Sequence, residues 1–301
     1  MAEKTATLRT LPLAGLTDLG PPRGLWRDAA RILMRKPLAM FGAAILLVVT
    51  IMALFGPQLA PYNPDTMGFT ERFASPSFRH LLGTDDFGRD ILSRIMYGSR
   101  VSLEVGLISV SLAATVGSSL GLIAGYSNRI IDEIIMRAMD VLYAFPAILL
   151  AIAILAALGK GVGNAMIAIG VVYTPIFARI TRGAVLTVRH EDFILAARAM
   201  GASPWRIIFI HILPNVLSPI IVETTLSLAF AILAEATLSF FGLGTQPPDA
   251  SWGRMLSEGR SFFRQSGWMA LAPGLAIMLT VMGFNFLGDG LRDALDPRLT
   301  R

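Results

Sequence analysis

The chain alternates between long apolar runs and short polar connections. A membrane-spanning helix needs roughly 20 mostly apolar residues, and six stretches approach that length. They are Leu38–Phe55, Val105–Ala124, Val141–Leu158, Val162–Ala178, Val216–Leu243 and Trp268–Gly288. The pattern predicts an all-α membrane protein with six transmembrane helices. The first run is not followed by a small-residue cleavage site, so we expect it to be retained as a span.

The polar connections predict how these helices are oriented. Six crossings place both termini on one side, and the segments on that side (1–37, 126–140, 179–215 and 289–301) hold 17 of the 26 Lys and Arg residues. Because basic residues accumulate in cytoplasmic loops, both termini are expected in the cytoplasm. The chain then divides into a cytoplasmic tail (1–37), a first transmembrane helix (38–57), an external loop with an amphipathic segment (58–104), and a five-helix core (105–301) that includes the cytoplasmic loop 179–215.

Composition narrows the class of protein further. Charged residues make up 16% of the chain, against about 25% in soluble domains, which favours lipid as the main solvent. The net charge of +5 lies in the loops between apolar runs, so nucleic acid is not an expected partner. The chain has no cysteine, which excludes disulfides, thiolate metal sites and a cysteine nucleophile.

The residues that usually carry catalysis are not arranged for it. No phosphate-binding loop of the form G-x-x-x-x-G-K-[ST] is present, and the predicted topology separates His80 from His190 and His211. The acidic stretch LGTDDFGRD is better explained as a turn that caps a helix over Asp90–Tyr97 than as a carboxylate metal site. We therefore expect no enzyme activity, no metal and no cofactor bound by this chain.

Polar residues inside the predicted spans are candidates for a translocation path. Glu223 and Glu235 lie twelve positions apart in the fifth span, and Asn285 lies in the sixth. Ionisable groups at this depth are costly and usually face a protein interior or a water path. Two interpretations stay open for the carboxylates: they line the path, or they make interhelical hydrogen bonds. In the alternative function, an ion-gradient-driven secondary transporter, they would relay protons.

Small residues recur every fourth position in the second span and predict a close helix contact. They are Ser109, Ala113, Gly117, Gly121 and Gly125. Pro146 and Pro175 are expected to kink the third and fourth spans. Asp140 is expected to pair with Arg137 or with a loop.

The longest predicted cytoplasmic loop between spans, residues 179–215, reads as a helix–turn–helix. Residues 191–200 have helical composition, Gly201 ends this helix, and Ser203-Pro204 is a good start for another. The second helix is predicted over 205–213, ending at Pro214. Ala196, Ala197 and Met200 form a small apolar surface, which is typical of an interface.

This loop resembles the conserved cytoplasmic loop of ABC importer permeases. In LAARAMGAS…HILPN, the family spacing falls on Ala196, Ala197, Gly201, Leu213 and Pro214. Leu195 stands where the family has Glu, and His211 stands where it has Ile. With these two differences, the loop resembles that of the peptide branch of the family.

Two further stretches resemble the C-type permease of dipeptide and oligopeptide importers. They are HLLGTDDFGRDILSRIMYGSRVSLEVG (80–106) and EATLSFFGLGTQPPDASWGRML (235–256). The resemblance implies a type I ABC importer permease-like fold, forming half of a translocation path for peptides or related small solutes. It also implies that the protein is located in the cytoplasmic membrane of a bacterium or an archaeon.

The resemblance also implies partners and their contacts. They are a second homologous permease subunit, two ATPase subunits (or one heterodimer) that use ATP and Mg, and a periplasmic or lipid-anchored solute-binding protein. The implied ATPase-coupling residues are Ala196, Ala197, Met200, Gly201, His211, Leu213 and Pro214. The candidates for contact with the binding protein are Gln246, Asp249, Trp252 and Arg254. The alternative for this last loop is a re-entrant segment with Trp252 and Trp268 anchored at the lipid headgroups.

Overall fold

The structure, a computed structural model, describes residues 25–295, with side chains from residue 30. Most of the predicted tail 1–37 and the end of the core, 296–301, lie outside it. The helices are α1 (Leu25–Met34), α2 (Pro37–Leu59), α3 (Ile91–Tyr126), α4 (Arg129–Tyr143), α5 (Ala147–Leu158), α6 (Val162–Val188), α7 (Asp192–Ala199), α8 (Pro204–Arg206), α9 (Leu213–Phe240), α10 (Trp252–Ser261) and α11 (Trp268–Leu295). A 3-10 turn covers Phe69–Glu71, and a π-helical turn, Ile207–Ile212, joins α8 to α9.

Five helices in this part of the chain are long and apolar enough to cross a membrane: α2, α3, α6, the continuous helix Pro204–Phe240, and α11. α3 runs for 36 residues, so the predicted amphipathic segment and the second span form one helix. Asp90 caps its first turn by accepting a hydrogen bond from the Ser93 amide at 2.8 Å, as the turn interpretation of LGTDDFGRD predicts.

The predicted third span is not a single helix. α4 and α5 meet at a bend of 93° because Pro146 lacks an amide hydrogen and restricts Phe145 to extended backbone. α5 has 12 residues, about 18 Å, which is too short to cross the hydrocarbon core of about 30 Å alone.

The chain nevertheless crosses between α3 and α6, because these two helices run parallel. Gly117 of α3 lies against Thr174 of α6, and Gly125 lies against Val185. The bent pair α4–α5 therefore returns the chain to the opposite end of the bundle. We call the two ends the α7 end and the α10 end, after the short helices found there. Lys36 and Asp293 form an ion pair at the α7 end, so both ends of the described chain lie there.

The predicted small-residue stripe forms the α3–α6 contact. A Cβ atom placed on Gly117 or Gly121 would come within 2.5 Å of a carbonyl oxygen of α6, of Thr174 or Ala178 respectively. Ser109 and Ala113 are fully buried on the same face. Tight backbone packing, rather than side-chain interdigitation, holds the centre of the bundle together.

The prediction for Asp140 is half right. Its carboxylate pairs with Arg179 of α6 at 2.7 Å, and Arg137 pairs with Glu133 one turn earlier. The ion pair thus fastens α4 to the next spanning helix rather than closing on α4 itself.

Candidate functional site

The segment between α6 and α9 forms a tightly closed helix–turn–helix at the α7 end. α7 ends at Ala199, and Gly201 adopts φ +79°. The Gly201 amide bonds to the Arg198 carbonyl at 2.9 Å and the Ala202 amide to the Ala197 carbonyl at 3.1 Å. This is a complete Schellman motif, which requires a residue in the left-handed region. Ser203 then caps α8 by accepting from the Arg206 amide at 3.4 Å.

This loop is fastened to the bundle by buried isoleucines. Ile194, Ile207 and Ile212 are at most 1% exposed and belong to the same apolar core as α3 and α6. The Arg189 guanidinium donates to the carbonyl oxygen of Gly125, near the end of α3, at 2.8 Å. A force applied to the loop would therefore move the helices and would not be absorbed by a flexible hinge.

The prediction that the second helix ends at Pro214 is wrong. The helix that starts at Pro204 continues into α9. The π-helical turn precedes Pro214, and the Leu213 amide bonds five residues back to Ile208. The wider turn accommodates a proline ring that would otherwise clash with the carbonyl four residues earlier. The loop is thus continuous with a spanning helix.

The predicted contact residues of the loop differ in exposure. Ala196 is exposed and Met200 is 82% exposed, whereas Ala197 is 4% exposed and packs inward. Of the others, Gly201 and Pro214 are exposed, and His211 and Leu213 are half-buried. Ala197 therefore shapes the loop from inside and offers no surface to a partner.

Sequence analysis missed two aromatic residues of this loop. Trp205 and Phe209 are 68% and 55% exposed, and their rings stack at 5.9 Å between centroids. They lie four positions apart at the start of a helix, a spacing that places side chains on one face. This four-residue spacing is the sequence pattern from which the aromatic pair could have been predicted.

Glu235 is buried inside the bundle of this chain. It is 1% exposed. Its carboxylate accepts hydrogen bonds from Ser239 at 2.7 Å and from Ser102 of α3 at 3.3 Å, with Thr245 at 3.5 Å. Of the two interpretations left open, interhelical hydrogen bonding describes Glu235.

Glu223 and Asn285 are half-buried and reach the surface of the bundle. The Ser227 hydroxyl donates to one carboxylate oxygen of Glu223 at 2.9 Å. The two carboxylates predicted to act together are therefore in different surroundings.

The four residues predicted to contact a binding protein also differ in their burial and in their bonding partners. Trp252 is fully buried and donates its indole N–H to the Ile95 carbonyl at 3.0 Å, so neither surface contact nor headgroup anchoring describes it. Arg254 pairs with Glu258 at 2.8 Å, and the Gln246 amide bonds to the carbonyl of Gly244 at 3.0 Å. Asp249 is exposed.

A cluster of ion pairs stabilises the loop at the α10 end. Arg89 binds Asp85 at 2.6 Å, and Glu258 of α10 lies 3.3 Å from Arg94 of α3. Burial, followed by the neighbouring charge of Asp85, raises the pKa of the Asp86 carboxyl. Within residues 25–295 no three potential ligands converge in a way that would hold a metal ion.

Comparison with known proteins identifies the architecture. Residues 117–301 match the family described as binding-protein-dependent transport system inner membrane component. The chain belongs to this family. Residues 24–76, which include α2, match the N-terminal transmembrane domain of oligopeptide transport permease C. The chain is thus a permease subunit of a binding-protein-dependent transport system.

Curated relatives match the permease over nearly its whole length. The dipeptide transport system permease protein DppC of Alkalihalophilus pseudofirmus is 50% identical over 91% of this chain and 90% of its own. The glutathione transport system permease protein GsiD of Pectobacterium atrosepticum is 43% identical over 98% of both chains.

A solved structure shows the same fold. A chain of the MetNI methionine ABC transporter, in inward-facing conformations, matches with a TM-score of 0.56 and 19% identity, over 66% of this permease and 94% of that chain. The predicted type I ABC importer permease-like fold is confirmed.

Proposed function

We propose that this permease forms half of a peptide-translocation path and that the loop at its α7 end docks on an ATPase subunit. The observation that carries the proposal is the Schellman-closed loop, because it is rigid, continuous with α9 and exposes Met200, Trp205 and Phe209. Exposed apolar side chains at the end of a bundle are typical of a protein interface.

Peptide cargo is supported by the names of the relatives, which include dipeptide, D,D-dipeptide and glutathione permeases. The working assembly comprises this chain, a second homologous permease, two ATPase subunits that use ATP and Mg, and a solute-binding protein. The α7 end faces the cytoplasm of a bacterium, consistent with the basic bias of its loops. The exposed Asp249 at the α10 end is offered to the binding protein. The secondary-transporter alternative is not retained, because Glu235 is already hydrogen-bonded and the family is binding-protein-dependent.

The test is a coupling assay on the complete transporter in proteoliposomes. Gly201→Glu is expected to abolish peptide uptake and stimulated ATP hydrolysis, because a non-glycine residue at φ +79° opens the Schellman turn. The matched control is Gly242→Glu. Gly242 has φ +73°, has no neighbouring atom within 4 Å, like Gly201, and lies at the α10 end.

Both variants should insert into the membrane equally, since they carry the same backbone strain. The control should retain stimulated ATP hydrolysis. Equal stimulation in the Gly201 variant and in the wild type would contradict the proposed docking site.

A further inference from the structure

Helix α2 leans on two different neighbours along its length. Towards the α7 end it touches α11, since a Cβ atom placed on Gly42 would come within 2.7 Å of the Gly283 carbonyl oxygen. Towards the α10 end it touches α3, where a Cβ atom on Gly56 would lie 3.0 Å from the Met96 carbonyl oxygen. Glycine permits each of these close approaches. The change of neighbour opens a groove between α2 and α11 in the half of the bundle near the α10 end.

This groove has a volume of about 460 Å³ and an apolar lining. One wall is residues 44–52 of α2, and the other is residues 268–279 of α11. Ile95 and Trp252, which are both buried, form the floor. None of the described residues that line the groove is charged. Its lining therefore suits a hydrocarbon occupant.

The groove is as long as one leaflet of a bilayer is thick. Its α2 wall covers eight steps of a helix and its α11 wall eleven, which correspond to about 12 and 16 Å. Half of the hydrocarbon core is about 15 Å. Trp268 is the first residue of α11 and is 44% exposed, so the groove starts at one membrane surface and ends near the middle of the membrane.

The outer face of α2 has the character of a surface in contact with lipid. Its most apolar 18 residues have a mean hydropathy of 2.7 and are 22% buried, whereas the other four spanning helices are at least 33% buried. Its small buried residues, Gly42 and Gly56 among them, face the bundle, and large side chains such as Leu47 face outwards. Contacts between membrane helices use small residues, so lipid and not a second permease subunit covers this face.

We propose that the groove binds one acyl chain of a phospholipid from the leaflet at the α10 end. An empty groove would lose the dispersion contacts of its walls, and a single hydrocarbon chain restores them. The indole N–H of Trp268 has no hydrogen-bond partner among the described residues. Tryptophan at the membrane surface faces the polar part of the lipid, so this N–H can donate to an ester or phosphate oxygen of the same molecule.

The bound chain joins two parts of the protein that match different families. α2 lies in the part that matches the N-terminal domain of oligopeptide transport permease C, and α11 lies in the inner membrane component. The lipid then fills the seam between them. This inference requires only that the chain spans the membrane, so it stands or falls independently of the cargo and of the docking loop.

The experiment locates the lipid by photo-crosslinking. The full chain, with its partner subunits, is placed in nanodiscs of phosphatidylethanolamine and phosphatidylglycerol. A small fraction of the phosphatidylethanolamine carries a diazirine, either near the carbonyl carbon or at the terminal carbon of one acyl chain. Mass spectrometry of the irradiated protein is expected to find the first probe near Met52 and Trp268 and the second near Ala44 and Leu279. Both should label the groove more strongly than Leu47.

Two substitutions block the groove from opposite walls. Ala44→Trp on α2 and Ala276→Trp on α11 each place an indole among its lining residues and should cause loss of groove labelling. Ala44 is exposed, so Ala44→Trp decides the matter if Ala276→Trp does not fold. Ala153→Trp is the matched control, because Ala153 is an exposed alanine of the apolar helix α5 and does not line the groove. It should keep the wild-type labelling.

Three results would overturn the proposal. Labelling of the groove no stronger than that of Leu47 would show ordinary contact with bulk lipid. A groove that stays unlabelled while Leu47 reacts would show that another subunit covers it. Loss of labelling in Ala153→Trp to the same extent as in Ala44→Trp would show that the effect does not come from filling the groove.

Discussion

Trp252 and Ile95, 157 positions apart in the sequence, are joined by a hydrogen bond from the indole nitrogen to the carbonyl oxygen at 3.0 Å. The bond fastens α10 to the first turns of α3. Trp252 is fully buried there beside Met255 and Met269. The residue that sequence analysis assigned to a surface is thus the centre of the α10-end core.

Two substitutions of Trp252 should destabilise the protein by different amounts. Trp252→Phe is expected to lower the free energy of unfolding by about 1 kcal/mol through loss of the hydrogen bond, and Trp252→Ala by about 3–5 kcal/mol through the cavity it leaves. Thermal unfolding of the purified protein in detergent measures both. Trp268→Phe, at a position 44% exposed, should change little, and equal effects at the two tryptophans would contradict this account.

Alanine substitutions at two glycines should have opposite effects on stability. Gly121→Ala places a methyl group 2.5 Å from the Ala178 carbonyl and should cost about 1–3 kcal/mol by forcing α3 from α6. Gly183→Ala, on α6, meets no atom within 4 Å and should gain about 0.5–1 kcal/mol from helix propensity. Thermal unfolding tests the pair. The close-packing argument fails if both substitutions shift the midpoint in the same direction.

Asp86 should make the protein less stable as pH rises. Its side chain is 13% exposed, and its Oδ1 atom has no hydrogen-bond partner. Because its pKa is raised on folding, the folded state holds the proton more tightly. The stability from this group is present below the ordinary pKa of about 3.9 and is lost as pH rises through the folded-state value.

Asp86→Asn is therefore expected to raise the unfolding temperature at pH 7 and to lose this advantage near pH 4. Arg89 keeps its bond to Asp85 in the variant. Thermal scans between pH 4 and 8 measure the difference, with the exposed Asp249→Asn as control. A difference that does not change with pH would rule out burial of the Asp86 charge as the cause.

The face of helix α4 that carries Ile134 should lie in lipid. Asp132 pairs with Arg182 at 2.6 Å and Asp140 with Arg179 at 2.7 Å. The two acids are about 12 Å apart along α4, whereas their partners are about 4.5 Å apart along α6. α4 therefore crosses α6 steeply, and its exposed Ile134 belongs in lipid.

Single-cysteine labelling tests this placement, because the chain has no native cysteine. A membrane-impermeant maleimide should react with Glu133→Cys, at an exposed position, and much more slowly with Ile134→Cys. The two sites are consecutive on α4, about 100° apart around the helix axis, so they differ in the face of the helix and little in depth. Equal labelling rates would contradict the placement of Ile134 in lipid.

Hydrophobic patterning alone was enough to predict most of the helices. Uncharged runs form spanning helices because lipid cannot satisfy a free backbone. The spacing of Gly117 and Gly121 predicted a close helix contact, which α6 makes in the structure. The turn at Gly201 and Ser203 was also predictable, because left-handed backbone and N-caps depend on local residue chemistry. The peptide-permease family was recognisable in the same stretch.

Tertiary packing decided what local patterns could not. The apolar run across Pro146 looked like one span, yet the chain bends by 93° there, and Asp140 before the bend pairs with Arg179 of α6. Glu223 and Glu235 look equivalent in sequence, but Glu235 meets Ser102 only after α3 and α9 pack together. Trp252 is apolar enough for a membrane surface and is buried because Ile95 supplies an acceptor from 157 positions away. Sequence spacing determines the face of a helix on which a residue lies, and only the fold determines what that face meets.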